Sequence, residues 1–246
     1  MRFAGETAGV VCLSARGCRQ DGVRGNAVAL EYAFHLNAIF PRLYFMGVSV
    51  AITGGIACGK SLFAECLQRL GVEVLDADDV VHALEASGGG AVEPIRRRFG
   101  EAVIAPDGSV CRDALAKIVF ADPVAREDLN GLLHPMVRQA IDEWRKRPGP
   151  SDIKAVVIPL LFEAGWEDDW DRVICVSSHT QTQIDRLMRF RGLSAEQAHQ
   201  RLDAQLPIAE KAARAHLTVD NNAGTEWLAE EAKRIYRLLM EKSGNE

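Results

Sequence analysis

Residues Gly54 to Ser61 read Gly-Gly-Ile-Ala-Cys-Gly-Lys-Ser, a complete G-x-x-x-x-G-K-[ST] phosphate-binding loop. The apolar run Val48-Ser49-Val50-Ala51-Ile52 precedes it. Phe63, Cys66, Leu67 and Leu70 follow at helical spacing, so the loop joins a strand to a helix. That context carries the chemistry. Glycines let backbone N–H groups close around phosphate oxygens, and the helix N-terminus adds partial positive charge. Gly54, Gly55, Ile56, Ala57, Cys58, Gly59, Lys60, Ser61 and Leu62 are therefore the candidate nucleotide-binding residues, with a nucleoside triphosphate as the ligand. Lys60 can reach the β/γ-phosphates, and the Ser61 hydroxyl can ligate Mg²⁺.

A chain of 246 residues, 48% hydrophobic, can bury the core of one α/β unit with insertions. Its net charge of −5 gives no footprint for nucleic acid or an anionic membrane. No apolar run reaches the ~18 residues that a spanning helix needs. The six cysteines (12, 18, 58, 66, 111, 175) lack C-x-x-C spacing, which points to a reducing cytoplasm. Residues 1–45 differ from the rest, with five Arg, no Lys and three acids. They read as a dispensable extension or a mis-assigned start, with Met46 opening the working domain.

From Met46 onward, strand and helix signals alternate, implying a parallel sheet flanked by helices. The sheet core is expected over 46–78, 150–178 and 215–246. Strands fall at 48–53, 72–75, 153–159, 172–176 and 216–219, and a closing helix at 224–242. Residues 79–149 read as an all-helical insertion that covers a substrate, and 179–214 as an Arg- and Gln-rich helical lid. Within the insertion, His134 is expected in a buried turn before a helix that starts at Pro135.

Asp76 and Asp78 end the second strand, where open α/β sheets place their ligands. In an extended chain the two carboxylates share a side and face the phosphate and metal region, with Asp78 nearer a substrate hydroxyl. The plainer alternative is that Asp78 or Asp79 caps the next helix. In the lid, Arg186 and Arg189 share a helix face and suit phosphate recognition, as do Arg191 and Arg201. Cys58 sits among loop amides that can lower its pKa and make it oxidisable, although the loop works through its backbone.

These segments together resemble one family, the dephospho-coenzyme A kinases. The resemblance rests on Thr53-Gly54-Gly55-Ile56 with Gly59-Lys60-Ser61, Asp76-Ala77-Asp78, and Asp107-Gly108 with Arg112 and Leu115. Val119-Phe120, Leu133-His134-Pro135, Pro159-Leu160-Leu161-Phe162-Glu163, Arg201 with Gln205 and Pro207, and Asp220-Asn221-Asn222 complete it. It implies a P-loop kinase with a helical coenzyme-binding subdomain and a lid, moving the ATP γ-phosphate to the ribose 3′-hydroxyl of dephospho-coenzyme A. By position, Asp78 is the base or orienter for that hydroxyl, Lys60 and Arg186 act on the phosphates, and Ser61 and Asp76 serve Mg²⁺. Asn221 joins the nucleotide-binding set. Two departures stand out. Ala57-Cys58 replaces the family's Gly-Ser pair, and Ala fits without strain only at negative φ. Phe190 occupies a lid position where the family carries Arg, leaving Arg189 or Arg191 as substitutes. The rival functions are another small-molecule P-loop kinase and a non-catalytic nucleotide switch, which would lack the acceptor-side carboxylates.

Overall fold

A computed structural model describes residues 47–243, so the expectation for residues 1–45 lies outside the described residues. Five strands, β1 (Val48–Gly54), β2 (Glu73–Asp76), β3 (Ile153–Val157), β4 (Arg172–Ser177) and β5 (Leu217–Asp220), form one sheet. It is wholly parallel, in the order β2-β3-β1-β4-β5. β1 is central, and its neighbours are reached by crossovers to opposite sides. Ligands of such sheets bind at the carboxyl ends of the strands.

The alternation of side chains along β1 builds two cores. Val50 and Ile52 face helices α1 (Lys60–Arg69) and α9 (Thr225–Ser243), packing with Phe63, Leu67, Leu228, Ala232 and Ile235. Ala51 faces the opposite layer, against α2 (Ala77–Glu85) and α5 (Pro123–Lys146) through Val80, Val137 and Ile141. Each fully buried Leu, Ile or Phe here contributes about 1.5–3 kcal/mol. Burial on both faces is why the strands read as apolar runs.

The helical insertion has a core of its own. α2, α3 (Val92–Phe99), α4 (Arg112–Ala121) and α5 enclose Ala91, Ile95, Val103, Leu115 and Leu133. Residues 179–214, read from the sequence as a lid, form α6 (Thr180–Arg191), α7 (Ala195–Asp203) and α8 (Ile208–Arg214). The α6–α7 pair packs through Ile184, Leu187 and Ala198, and the side chains of Ile56 and Ala57 from the phosphate loop join that cluster.

Two local expectations need correction. No helix starts at Pro135, which lies inside the 24-residue α5. Proline removes one helical hydrogen bond, but the carbonyl left without a donor belongs to Gly131, which is exposed to water. Packing of Leu133 and Val137 then carries the helix through. His134 is accordingly exposed, with its ring edge-on to Trp166 at 5.4 Å. Secondly, the cap of α2 is neither Asp78 nor Asp79. Helix geometry begins at Ala77, and the Asp76 carboxylate accepts the Asp78 N–H at 2.9 Å.

Candidate active site

A cleft of about 700 Å³ opens at the carboxyl ends of the strands. It is lined from β1 and α1 by Ile56, Ala57, Gly59, Lys60, Ser61 and Leu62, and from β2 and α2 by Asp76 and Asp78. Pro159 after β3, Arg186, Phe190 and Arg191 of the lid, Gln205, and Asn221 after β5 complete the wall. Gly54, Gly55 and Cys58 lie buried beneath the loop, behind the cleft surface.

The loop closes over Lys60, whose ammonium donates to the carbonyls of Gly54 (3.1 Å) and Gly55 (2.9 Å). Burial holds its pKa below the ordinary lysine value. An anionic ligand would reverse that desolvation penalty. Two glycines are explained by neighbouring side chains. A Cβ on Gly55 would stand 2.3 Å from Gln183 Nε2, and one on Gly59, at φ +92°, would stand 2.2 Å from Asn221 Nδ2. Ala57 takes φ +57°. The unstrained, negative-φ backbone is thus not adopted, and a left-handed alanine costs about 1–2 kcal/mol.

Three side chains hold that conformation. Gln183 Nε2 donates to the Ile56 carbonyl (2.8 Å), Arg186 Nη1 to the Ala57 carbonyl (3.1 Å), and Asn221 Nδ2 to the Cys58 carbonyl (2.8 Å). On the other edge, the Ile56 N–H donates to Gln205 Oε1 at 3.0 Å. Arg186 also donates to Ser178 Oγ and to the Asn221 carbonyl. Asn222 accepts the His179 N–H at the start of α6, which accounts for the Asp-Asn-Asn segment as a joint between β5, the loop and the lid.

The expectation for Cys58 is overturned. Its thiol is fully buried and accepts from Gln183 at 3.0 Å, and desolvation raises its pKa. Cys175 behind it is pushed up to about 12 by the same cause. Neither is an oxidation-prone thiolate.

Asp76 and Asp78 both face the cleft, Asp76 from the strand end and Asp78 from the first turn of α2. They meet there by a cap and a helical turn, and not by an extended chain. Desolvation raises the Asp76 pKa, and the charges of Asp78 and Asp79 add to the rise. So much negative charge beside a phosphate site calls for a cation. The donors on offer, a hydroxyl and a few carboxylate oxygens, suit Mg²⁺, which keeps most of its waters.

The lid arginines separate. Arg186 points into the loop. Arg189 stacks on Phe190 at 5.2 Å and does not line the cleft, whereas Arg191 does. Arg201 is exposed on α7 and is also absent from the lining. Sequence reasoning missed Gln183 and Lys211. Lys211 is fully buried, donating to Glu163 (2.7 Å) and to the Pro159 carbonyl (3.1 Å). The signal available for it was Glu163 itself, a carboxylate directly after an apolar run and in need of a partner.

A second groove, of about 330 Å³, runs between α2 and the α4–α5 pair. It is lined by Val81, His82, Leu115, Val119 and Phe120, with Arg112 held by Glu85 at 2.7 Å. Asp78 lines both the groove and the cleft.

The family model for dephospho-CoA kinase matches residues 48–226. The chain belongs to the dephospho-coenzyme A kinase family. A dephospho-CoA kinase of Anaeromyxobacter dehalogenans is 43% identical over 188 residues, covering 76% of this chain and 89% of that protein. The corresponding protein of Symbiobacterium thermophilum is 37% identical over 201 residues, 80% of this chain and 83% of the relative. Among solved structures, one from Thermus thermophilus superposes with a TM-score of 0.68 at 34% identity, covering 78% of this chain and 98% of the other. A dephospho-CoA kinase from Campylobacter jejuni gives 0.54 at 26% identity, covering 79% and 98%. The chain is thus a transferase of coenzyme A biosynthesis, with ATP and dephospho-coenzyme A as its substrates.

Proposed function

We propose that the γ-phosphate of ATP passes to the ribose 3′-hydroxyl across Asp78, the residue shared by the nucleotide cleft and the α2/α4–α5 groove. That sharing is the observation that carries the reading. The nucleotide phosphates lie against loop 54–61, with Lys60 exchanging its two carbonyl partners for the β/γ-phosphates. Ser61 and Asp76 would hold Mg²⁺, which would supply charge that neutralises the phosphates.

The acceptor occupies the groove. Its apolar floor takes the pantetheine arm, and Arg112, tied to Glu85, offers its guanidinium to the acceptor phosphates. Asp78 is exposed at the mouth, where it orients the 3′-hydroxyl and takes its proton as the new P–O bond forms. Arg186, already aimed at the loop, and Arg191 at the cleft rim meet charge on the transferred phosphoryl. Residues 46–246 are the kinase domain, with 79–149 serving the coenzyme and 179–214 the lid. Four free cysteines among the described residues suit a reducing cytoplasm.

The test is a mass-resolved assay with ATP, Mg²⁺ and dephospho-coenzyme A, with adenosine and AMP as alternative acceptors. Coenzyme A and ADP in equal amounts are expected. ATP hydrolysis without a phosphorylated acceptor would overturn the proposal.

A further inference from the structure

The lid helix α6 carries a group that the reaction as described does not use. Gln183 is 1% exposed and sits one turn before Arg186 on the same helix. Its Nε2 reaches both the Ile56 carbonyl and the Cys58 sulfur, spanning the strained Ala57 between them. Its Oε1 is buried without a hydrogen-bond partner. A buried, half-satisfied amide is costly, and what it holds in return is the peptide orientation of the phosphate loop.

The surroundings make this a clamp with two jaws. Ile56 is held at its carbonyl by Gln183 and at its N–H by Gln205, which lies beyond α7, so the two peptide groups that flank it are both fixed. The side chains of Ile56 and Ala57 insert between α6 and α7, against Ile184, Leu187 and Ala198. Rotating the 56–58 peptides would break these contacts together. Their carbonyls face the lid side chains, and the orientation of the loop amides presented to phosphate follows from that arrangement.

We infer that Gln183 is a positioning residue for the phosphate loop, coupling the placement of lid helix α6 to the affinity for ATP. The inference rests on the reading that loop 54–61 holds the nucleotide phosphates. Gln183 touches neither the acceptor groove nor Asp78, so its effect falls on the nucleotide and not on the acceptor or on the chemical step.

The test replaces Gln183 by Met, which keeps length and flexibility but cannot donate. Steady-state kinetics with each substrate varied, ATP affinity by titration calorimetry and thermal melting are measured together. The expected result is an ATP affinity and KM weakened about tenfold, the loss of one hydrogen bond. kcat should stay within about threefold, and the KM for dephospho-coenzyme A should not change. An unchanged ATP affinity overturns the inference, as does an equal loss in all three constants. If Gln183→Met does not fold, Gln183→Glu preserves the shape and is read by the same ATP-against-acceptor split, with the same result refuting it. Lys60→Ala is assayed in parallel. Near-normal ATP affinity and turnover there would mean that the phosphate-loop reading has failed, whereas a normal Gln183 variant beside an inactive Lys60→Ala sinks the clamp alone.

Discussion

Lys211→Met is expected to be the most destabilising single change near the site that removes no proposed catalytic group. Lys211 is wholly buried, and it joins α8 to the turn after β3 through Glu163 and the Pro159 carbonyl. Glu163 also accepts the Leu206 N–H, so the pair ties the end of the sheet to the segment leading into α8. Removing the lysine leaves a largely shielded carboxylate without its cation and the Pro159 carbonyl without its donor. Breaking one side of such a pair costs about 3–5 kcal/mol. For a domain of this size each kcal/mol lowers Tm by roughly 2–4 °C, so a drop of about 6–20 °C follows. Glu163→Gln should cost a comparable amount, because it leaves the wholly buried Lys211 ammonium with neutral acceptors only. The double variant Lys211→Met/Glu163→Leu should recover much of the loss, since it leaves no buried charge unpaired. Thermal melts of the four proteins decide this. A Lys211→Met protein melting within 2 °C of the parent would refute the reasoning. A double variant no better than the single would refute it too.

Other perturbations probe separate parts of the site. Asp76 titrates above its unfolded value of 3.8. Its carboxyl therefore favours the fold fully below that pH, and the contribution is lost as pH rises through the folded pKa. Asp76→Asn, which keeps a good helix cap, should melt higher than the parent at pH 7, with the difference vanishing in acid, while requiring more Mg²⁺ for activity. A lower melting point at pH 7 would contradict the charge argument. Cys58 and Cys175, with raised thiol pKa values, should resist iodoacetamide at pH 8 until the protein is denatured. Rapid native labelling of either, read by peptide mass, would show an open path to the loop. A chain beginning at Met46 should match the full chain in turnover and melting. A loss beyond about tenfold, or ~1.4 kcal/mol of barrier, would show that residues 1–45 contribute.

What the sequence made legible was whatever is encoded locally. The phosphate loop, the five strands and the two helical insertions carry their signals within windows of a dozen residues. Asp76 and Asp78 were found because strand ends are where ligands go, although the extended geometry assumed for them gave way to a cap on α2. Pro135 misled because proline propensity is a local prior, and the packing of Leu133 and Val137 overrides it. Gln183 and Lys211 stayed hidden for a different reason. Each is a polar residue in a polar helical stretch, indistinguishable from a solvated face until a partner 127 or 52 residues away is folded against it. For Cys58, the lowered pKa that the loop amides suggested does not follow, since the loop turns the sulfur inward and burial raises it.

The turnover of Asp78→Asn with saturating ATP, Mg²⁺ and dephospho-coenzyme A tests the central claim most directly. Asparagine keeps the shape and can accept a hydrogen bond but cannot take the ribose proton. The variant should bind ATP as the parent does, with kcat lower by about 10²–10⁴-fold. Turnover within about threefold of the parent would place the proton acceptor elsewhere and contradict the assignment of Asp78 as the residue at which the two clefts meet for transfer.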